Sequence, residues 1–165
     1  MELDELTGLP DTRLSVATEA DAPELLVLQR CCWVQEALQN DTLEIPALHE
    51  SLDEVREWTS SWQVWLVRQG PRLIGAVRGQ VEDGDWEIGR LMVAPDLAGR
   101  GLGRFLLGHV ESQAPADVPR FTLFTGAKST RNITMYERAG YRLTDQPGTP
   151  SGHIEHAVYL VKERT

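Results

Sequence analysis

The chain has 165 residues, 25 acidic against 16 basic, and a formal net charge of −9, so it is the size of one domain, able to remove roughly 70% of its unfolded surface from water. The acidic balance argues against nucleic acid as a partner. No apolar stretch approaches the roughly 18 residues that cross a bilayer, and the opening MELDELTGLPDTR lacks the apolar core of a signal peptide, so a cytoplasmic protein without a membrane partner is expected. The two cysteines, Cys31 and Cys32, are adjacent, a spacing that rarely meets disulfide geometry, and free thiols are expected. They cannot build a metal site alone, and no metal is expected.

A tail is expected over 1–11 and one domain over 12–165. TRLSVAT (12–18) alternates as a strand does, and residues 19–38 place apolar side chains at helical spacing behind Asp21 as cap. QNDTLEIPAL reads as loop. Ser51 and Glu54 then form the Ser-x-x-Glu capping pattern of a helix over 51–61. WQVWLVRQ and RLIGAVRGQV flank the turn signal Gly70–Pro71 and read as a hairpin. A strand over 85–95 leads through a glycine-rich turn into a helix over 103–113. A linker, a strand over 121–126, a helix over 130–140 and closing strands over 141–144 and 153–163 complete the chain. This order predicts an α+β fold, an α/β sandwich with an antiparallel first half and one central β-α-β crossover.

The turn APDLAGRGLGRFLL opens a helix, where unpaired backbone amides meet the positive end of the helix dipole and suit phosphate oxygens. Two nucleotide fingerprints fail on spacing. From Gly101 the third glycine of the dinucleotide pattern would fall at Leu106, and GAKST at 126–130 separates Gly126 from Lys128 where a Walker loop has Gly-Lys adjacent. LMVAPDLAGRGLGRFLL closely resembles the acetyl-CoA-binding segment of the GNAT acetyltransferase superfamily. The likeness extends through the next strand and NITMYERAGY, over about residues 86 to 145.

That resemblance implies a mixed, mostly antiparallel sheet with helices on both faces, and acetyl-CoA as cofactor. It places pantetheine against the backbone of Leu91, Met92 and Val93, and pyrophosphate on Gly99, Arg100, Gly101, Leu102, Gly103 and Arg104. Glycine at 99, 101 and 103 lets backbone approach phosphate, and the two arginines add charge. Ala98 departs from the family, which usually has Gln or Arg there.

Acyl transfer to an amine needs a neutral nitrogen and a proton for the departing thiolate. At pH 7.4 an amine of pKa ~10.4 is neutral about once in a thousand, so a base is useful. Glu87 stands where glutamate bases of the family often stand, the alternative being a surface carboxylate paired with arginine. Tyr136 resembles the tyrosine placed near the cofactor sulfur, or else packs in the core. Asn132, one helical turn earlier, resembles an asparagine bonding pantetheine, or else caps its helix. His153 and His156 fall on opposite faces of the expected strand and read as ordinary positions. Asp41, Glu44, Glu50, Asp53, Glu54 and Glu57 lie close in sequence, and either attract a cationic amine or form a solvated helix face. The expected activity is an N-acetyltransferase acting on a small-molecule or protein amine by direct attack in a ternary complex. The alternative is a non-catalytic acyl-CoA-binding domain, and homodimer formation is left open.

Overall fold

A computed structural model describes residues 3–145 and 153–165. Within them, β1 (Thr12–Val16), β2 (Gln63–Gln69), β3 (Arg72–Glu82), β4 (Asp85–Val93), β5 (Arg120–Thr125), β6 (Arg142–Thr144) and β7 (Val158–Glu163) form one sheet. Its order is β1-β2-β3-β4-β5-β7-β6. Neighbours are antiparallel except β4 and β5, which are parallel. The helices are α1 (Leu3–Thr7), α2 (Ala22–Asn40), α3 (Pro46–His49), α4 (Leu52–Ser61), α5 (Leu102–Ser112) and α6 (Thr130–Arg138). The crossover is β4-α5-β5, as the sequence predicts.

Side chains along β3 and β4 alternate between two layers of helix. Trp86 is fully buried and donates its indole N–H to the Val110 carbonyl of α5 at 3.0 Å. Gly75 lies against Leu102 and Leu106 of α5. On the other face, the Arg78 guanidinium lies over the rings of Trp58 in α4 and Trp62 just after it, at 4.7 and 4.0 Å. The α4 start is the expected capping box, with Ser51 N–H donating to Glu54 at 2.7 Å and Glu54 N–H to Ser51 Oγ at 3.2 Å.

Four local expectations change. Residues 3–7 of the expected tail form α1, and the Asp4 carboxylate accepts from the backbone amides of Asp11 and Thr12 at 2.9 and 2.7 Å, with Leu9 buried beneath. Asp21 ends a single 3-10 turn instead of capping α2 with its side chain. Its carboxylate accepts from the Thr18 amide at 2.8 Å and pairs with Arg68 at 2.8 Å. The loop after α2 contains the short α3. The last strand begins at Val158, not His153, because its partner β5 ends at Thr125, opposite Val158. Residues 153–157 therefore leave the sheet.

Two irregularities of β4 shape the space beside it. The β4–β5 ladder holds only two pairs, Trp86↔Phe121 and Glu87↔Thr122, after which the strands part. In the same stretch β4 carries a bulge: Gly89 opposes Arg78 and Met92 opposes Ala76, so Arg90 and Leu91 together face Val77. Arg90 has φ 46°, the left-handed region that costs a non-glycine residue strain.

The layer over α5 leaves no room at Gly79, where an added Cβ would lie 2.5 Å from the Trp86 ring. Gly79→Ala should lower stability by about 1–3 kcal/mol and Tm by roughly 3–10 °C, measured by calorimetry.

Candidate active site

The parting of β4 from β5 opens a cleft of about 990 Å3 that runs from Ile88 and Phe124 to the start of α5. Past Glu87, the β5-facing edge of β4 has no ladder partner. That edge leads to the glycine turn, where Gly99 and Gly101 have φ 82° and 83°, conformations that favour glycine. Gly103 is different: a Cβ added there would be in ordinary contact with Met135 Sδ of α6, at 3.5 Å. None of the six amides of residues 99–104 has an acceptor among the described residues. They sit at the positive end of an 11-residue helix. Arg104, Arg131 and Arg138 also line the cleft, and Arg131 Nη2 is 3.6 Å from the Cβ position of Gly99.

The C-terminal half of α2 crosses this cleft to reach α6. Glu36 accepts from Asn132 Nδ2 at 2.8 Å and from the hydroxyl of the buried Ser129. Asn40 donates to Ser129 Oγ at 2.9 Å and accepts from the Lys128 amide at 3.0 Å. Asn132 is thus side-chain bonded to α2, and Ser129, not Asn132, is the N-cap residue of α6. Tyr136 lines the cleft but is buried. Burial, then the nearby Glu36 carboxylate, push its phenol above the usual range, so it stays protonated.

Glu87 occupies the last paired position before the strands part. His153 Nε2 lies 3.9 Å from Glu87 Oε1, with its ring 4.5 Å from that of Phe124, and His153 lines the cleft. This corrects the reading of His153 as an ordinary strand position. Glu87 itself is half-buried beside the cleft wall rather than in it.

On the α4 face, Glu50 binds Arg90 with Oε1, which also accepts from Gln29 at 3.2 Å, and accepts from Trp58 Nε1 with Oε2 at 3.1 Å. Arg90 also lies over Trp33 at 5.4 Å. Half of the acidic cluster is engaged within the protein: Glu50 pairs with Arg90, Glu54 caps its helix, and Asp53 pairs with Arg56 at 3.2 Å, while Asp41, Glu44 and Glu57 are exposed. Arg78 is buried, and burial, then the neighbouring Arg90, push its guanidinium down to about 9.

The structure gathers most of the residues the sequence singles out. Leu91, Val93, Gly99, Gly101, Leu102, Gly103, Arg104, Asn132 and Tyr136 line the one cleft. Met92 and Leu102 are buried in the core, so they offer backbone only. Arg100 is exposed beside the turn. Glu36, Asn40, Arg78, Arg90, Arg131 and His153 escape sequence reasoning, because each gains its role from a partner far along the chain. Among the described residues no group of three His, Cys, Asp or Glu side chains could hold a metal, and no helix is long and apolar enough to cross a membrane.

An open strand edge leading to a row of free amides suits an extended ligand ending in phosphate. A model of the acetyltransferase (GNAT) family matches residues 28–141, and the chain belongs to that family. Over 143 residues, 87% of the chain, it is 25% identical to the UPF0157 protein YqkA of Bacillus subtilis (strain 168), and it spans 41% of that protein's length. An acetyltransferase from Thermus thermophilus shares the fold with a TM-score of 0.72 at 18% identity, over 94% of this chain and 99% of that one. The PaiA N-acetyltransferase from Thermoplasma acidophilum, solved in complex with coenzyme A, gives 0.65 at 13% identity, over 93% and 99%.

Cys32 also lines the cleft, and its Sγ donates to the Val93 carbonyl at 3.2 Å. Burial pushes its thiol up to about 12, whereas Cys31 is exposed. The thiolate is the reactive form, so at pH 8 Cys31 should titrate with an aromatic disulfide reagent roughly 1000-fold faster than Cys32 in the folded protein. Cys31→Ser should remove the fast phase, and denaturant should make Cys32 reactive.

Proposed function

We propose that this protein transfers the acetyl group of acetyl-CoA to the nitrogen of an amine acceptor, by direct attack with both substrates bound. The observation that carries the reading is the continuity of the unpaired β4 edge with six unpartnered amides at the start of α5. The residues present fit the cofactor. Amides of Gly99, Arg100, Gly101, Leu102, Gly103 and Arg104 hold the pyrophosphate, Arg104 and Arg131 add charge, and the backbone of Leu91, Met92 and Val93 pairs with pantetheine. Arg131 from α6 offers the cation that Ala98 does not. Bound acetyl-CoA supplies an acetyl group activated as a thioester.

The protein's own groups handle the protons. The Glu87 carboxylate, steadied by His153, takes the proton that the acceptor nitrogen sheds as its lone pair forms the new C–N bond, directly or through a water. The Tyr136 phenol, held neutral, donates to the sulfur as the C–S bond breaks, and recovers its proton from solvent. Asn132, fixed by Glu36, borders the pantetheine arm.

Acetyl-CoA should raise Tm well above the effect of equal ATP or NAD, and equal stabilisation by ATP would sink the cofactor assignment. Gly101→Glu should abolish that shift. Gly101→Ala carries the same left-handed strain without charge, and should keep measurable binding. An unchanged dissociation constant in Gly101→Glu would place the ligand elsewhere. Tyr136→Phe should keep acetyl-CoA affinity and lower the single-turnover rate of acetyl transfer by roughly 10- to 1000-fold. A wild-type rate would make the hydroxyl structural, and acetyl-CoA binding with no thiol release on any amine would make the chain a binding domain.

A further inference from the structure

A second cavity, of about 540 Å3, adjoins the cleft and shares Pro46 and Arg90 with it. Glu50, Trp58, Trp62, Arg78 and Arg90 line it together with the exposed Glu54 and Glu57. Of its three carboxylates, Glu54 caps its own helix, Glu57 is exposed, and Glu50 is already taken by Arg90. Arg78 is only 9% exposed, and among the described residues it has no carboxylate within ion-pair distance and its Nε no hydrogen-bond partner. Burying a charge without a partner is costly. The indole faces of Trp58 and Trp62 offset part of that cost but supply no acceptor atoms. Five buried side-chain polar atoms lack a partner among the described residues, and three of them, Gln29 Oε1, Arg78 Nε and Arg90 Nε, cluster here.

We propose that this cavity binds the acceptor, and that the acceptor is a small amine that also carries a carboxylate, which docks on Arg78. This rests on the acetyltransferase reading for what happens to the amine. Arg78 is the guanidinium of this cavity that has no carboxylate partner among the described residues, and the carboxylate of a ligand would supply one. A planar guanidinium held against two indole rings has a fork suited to bidentate pairing with a carboxylate. The register supports the amine's place. Arg78 opposes Gly89 and Gln80 opposes Glu87, so Glu87 lies diagonally across from Arg78 on the same sheet face. A short molecule with its carboxylate on Arg78 brings its nitrogen towards Glu87 and the bulge at Arg90, where the cavity meets the cleft. Burial, then the neighbouring Arg90, depress the guanidinium pKa of Arg78, and a paired anion would raise it again.

The test compares matched acceptors in the full chain with acetyl-CoA: L-amino acids against their α-amides, and ω-amino acids against alkylamines of equal length. Thiol release gives kcat/KM, and calorimetry with coenzyme A present gives affinity without turnover. The best acid should exceed its uncharged match by about 10- to 100-fold in kcat/KM, the scale of charge-assisted hydrogen bonds. Arg78→Gln should erase that ratio while leaving the acetyl-CoA thermal shift intact, and Arg78→Lys, which keeps charge but loses the fork, should restore part of it. If Arg78→Gln does not fold, the wild-type ratio and Arg78→Lys decide. Thiol release that is indifferent to the carboxylate, or a preference that survives Arg78→Gln, overturns the anchor and leaves the acetyltransferase reading standing. Arg78-dependent binding of acids without thiol release upholds the anchor and overturns that reading. Stronger binding of O-phosphoethanolamine than of any acid, or no binding by any member of the panel, overturns the anchor as stated.

Discussion

The cleft, the bulge and the positions of both candidate proton-handling groups depend on one constraint: β4 and β5 are parallel neighbours for only two residue pairs. Parallel strands bond evenly along their length when nothing intervenes. Here the ladder stops at Glu87, and the bulge at Arg90 and Leu91 turns β4 away from the line of β5. The strained backbone of Arg90 is held by its buried pair with Glu50 and by its place over Trp33. Because Glu50 also accepts from Trp58 and Gln29, α2, α4 and the bulge are fixed to each other through one carboxylate. Removing either partner of such a pair leaves a buried charge uncompensated, so the network specifies a geometry more than it adds stability.

Local charge inverts the charge of the whole. The chain carries −9, yet the cleft is lined by Arg90, Arg104, Arg131 and Arg138 against Glu36 alone among the carboxylates. A cleft lined by one sign of charge draws ligands of the other sign even when the net charge opposes them. The carboxylates of 41–57, which the sequence leaves as either an attractor for a cationic amine or a solvated helix face, lie outside this cleft. Helix capping and ion pairing account for Glu54, Asp53 and Glu50, Asp41, Glu44 and Glu57 are exposed, and the buried guanidinium of Arg78 has no carboxylate partner among the described residues.

The ties from α2 to α6 give that cleft its roof. Glu36 and Asn40 lie one helical turn apart and reach Ser129, Asn132 and the Lys128 amide. Gly126 belongs to the same contact, since an added Cβ there would lie 2.5 Å from Asn40 Oδ1. Asn132 is consequently neither the helix cap nor a free side chain. It is a cleft residue oriented by a carboxylate 96 positions earlier in the chain.

The amino-acid sequence by itself determined the features that rest on local chemistry. Alternation marked the strands, Ser51 and Glu54 fixed a helix start, and the glycines at 99, 101 and 103 marked a turn whose backbone a ligand can approach. It also carried the family likeness, because the strand, turn and helix over 86–112 are contiguous. Tertiary structure alone decided what depends on pairing between distant segments. Where β5 ends determined that His153 leaves the sheet and comes to Glu87. The register between β3 and β4 set Arg78 diagonally across from Glu87, and α4 and the residue after it brought two indoles against it. Nothing in RLIGAVRGQV singles out Arg78, since alternation gives the face a side chain takes but not what covers that face.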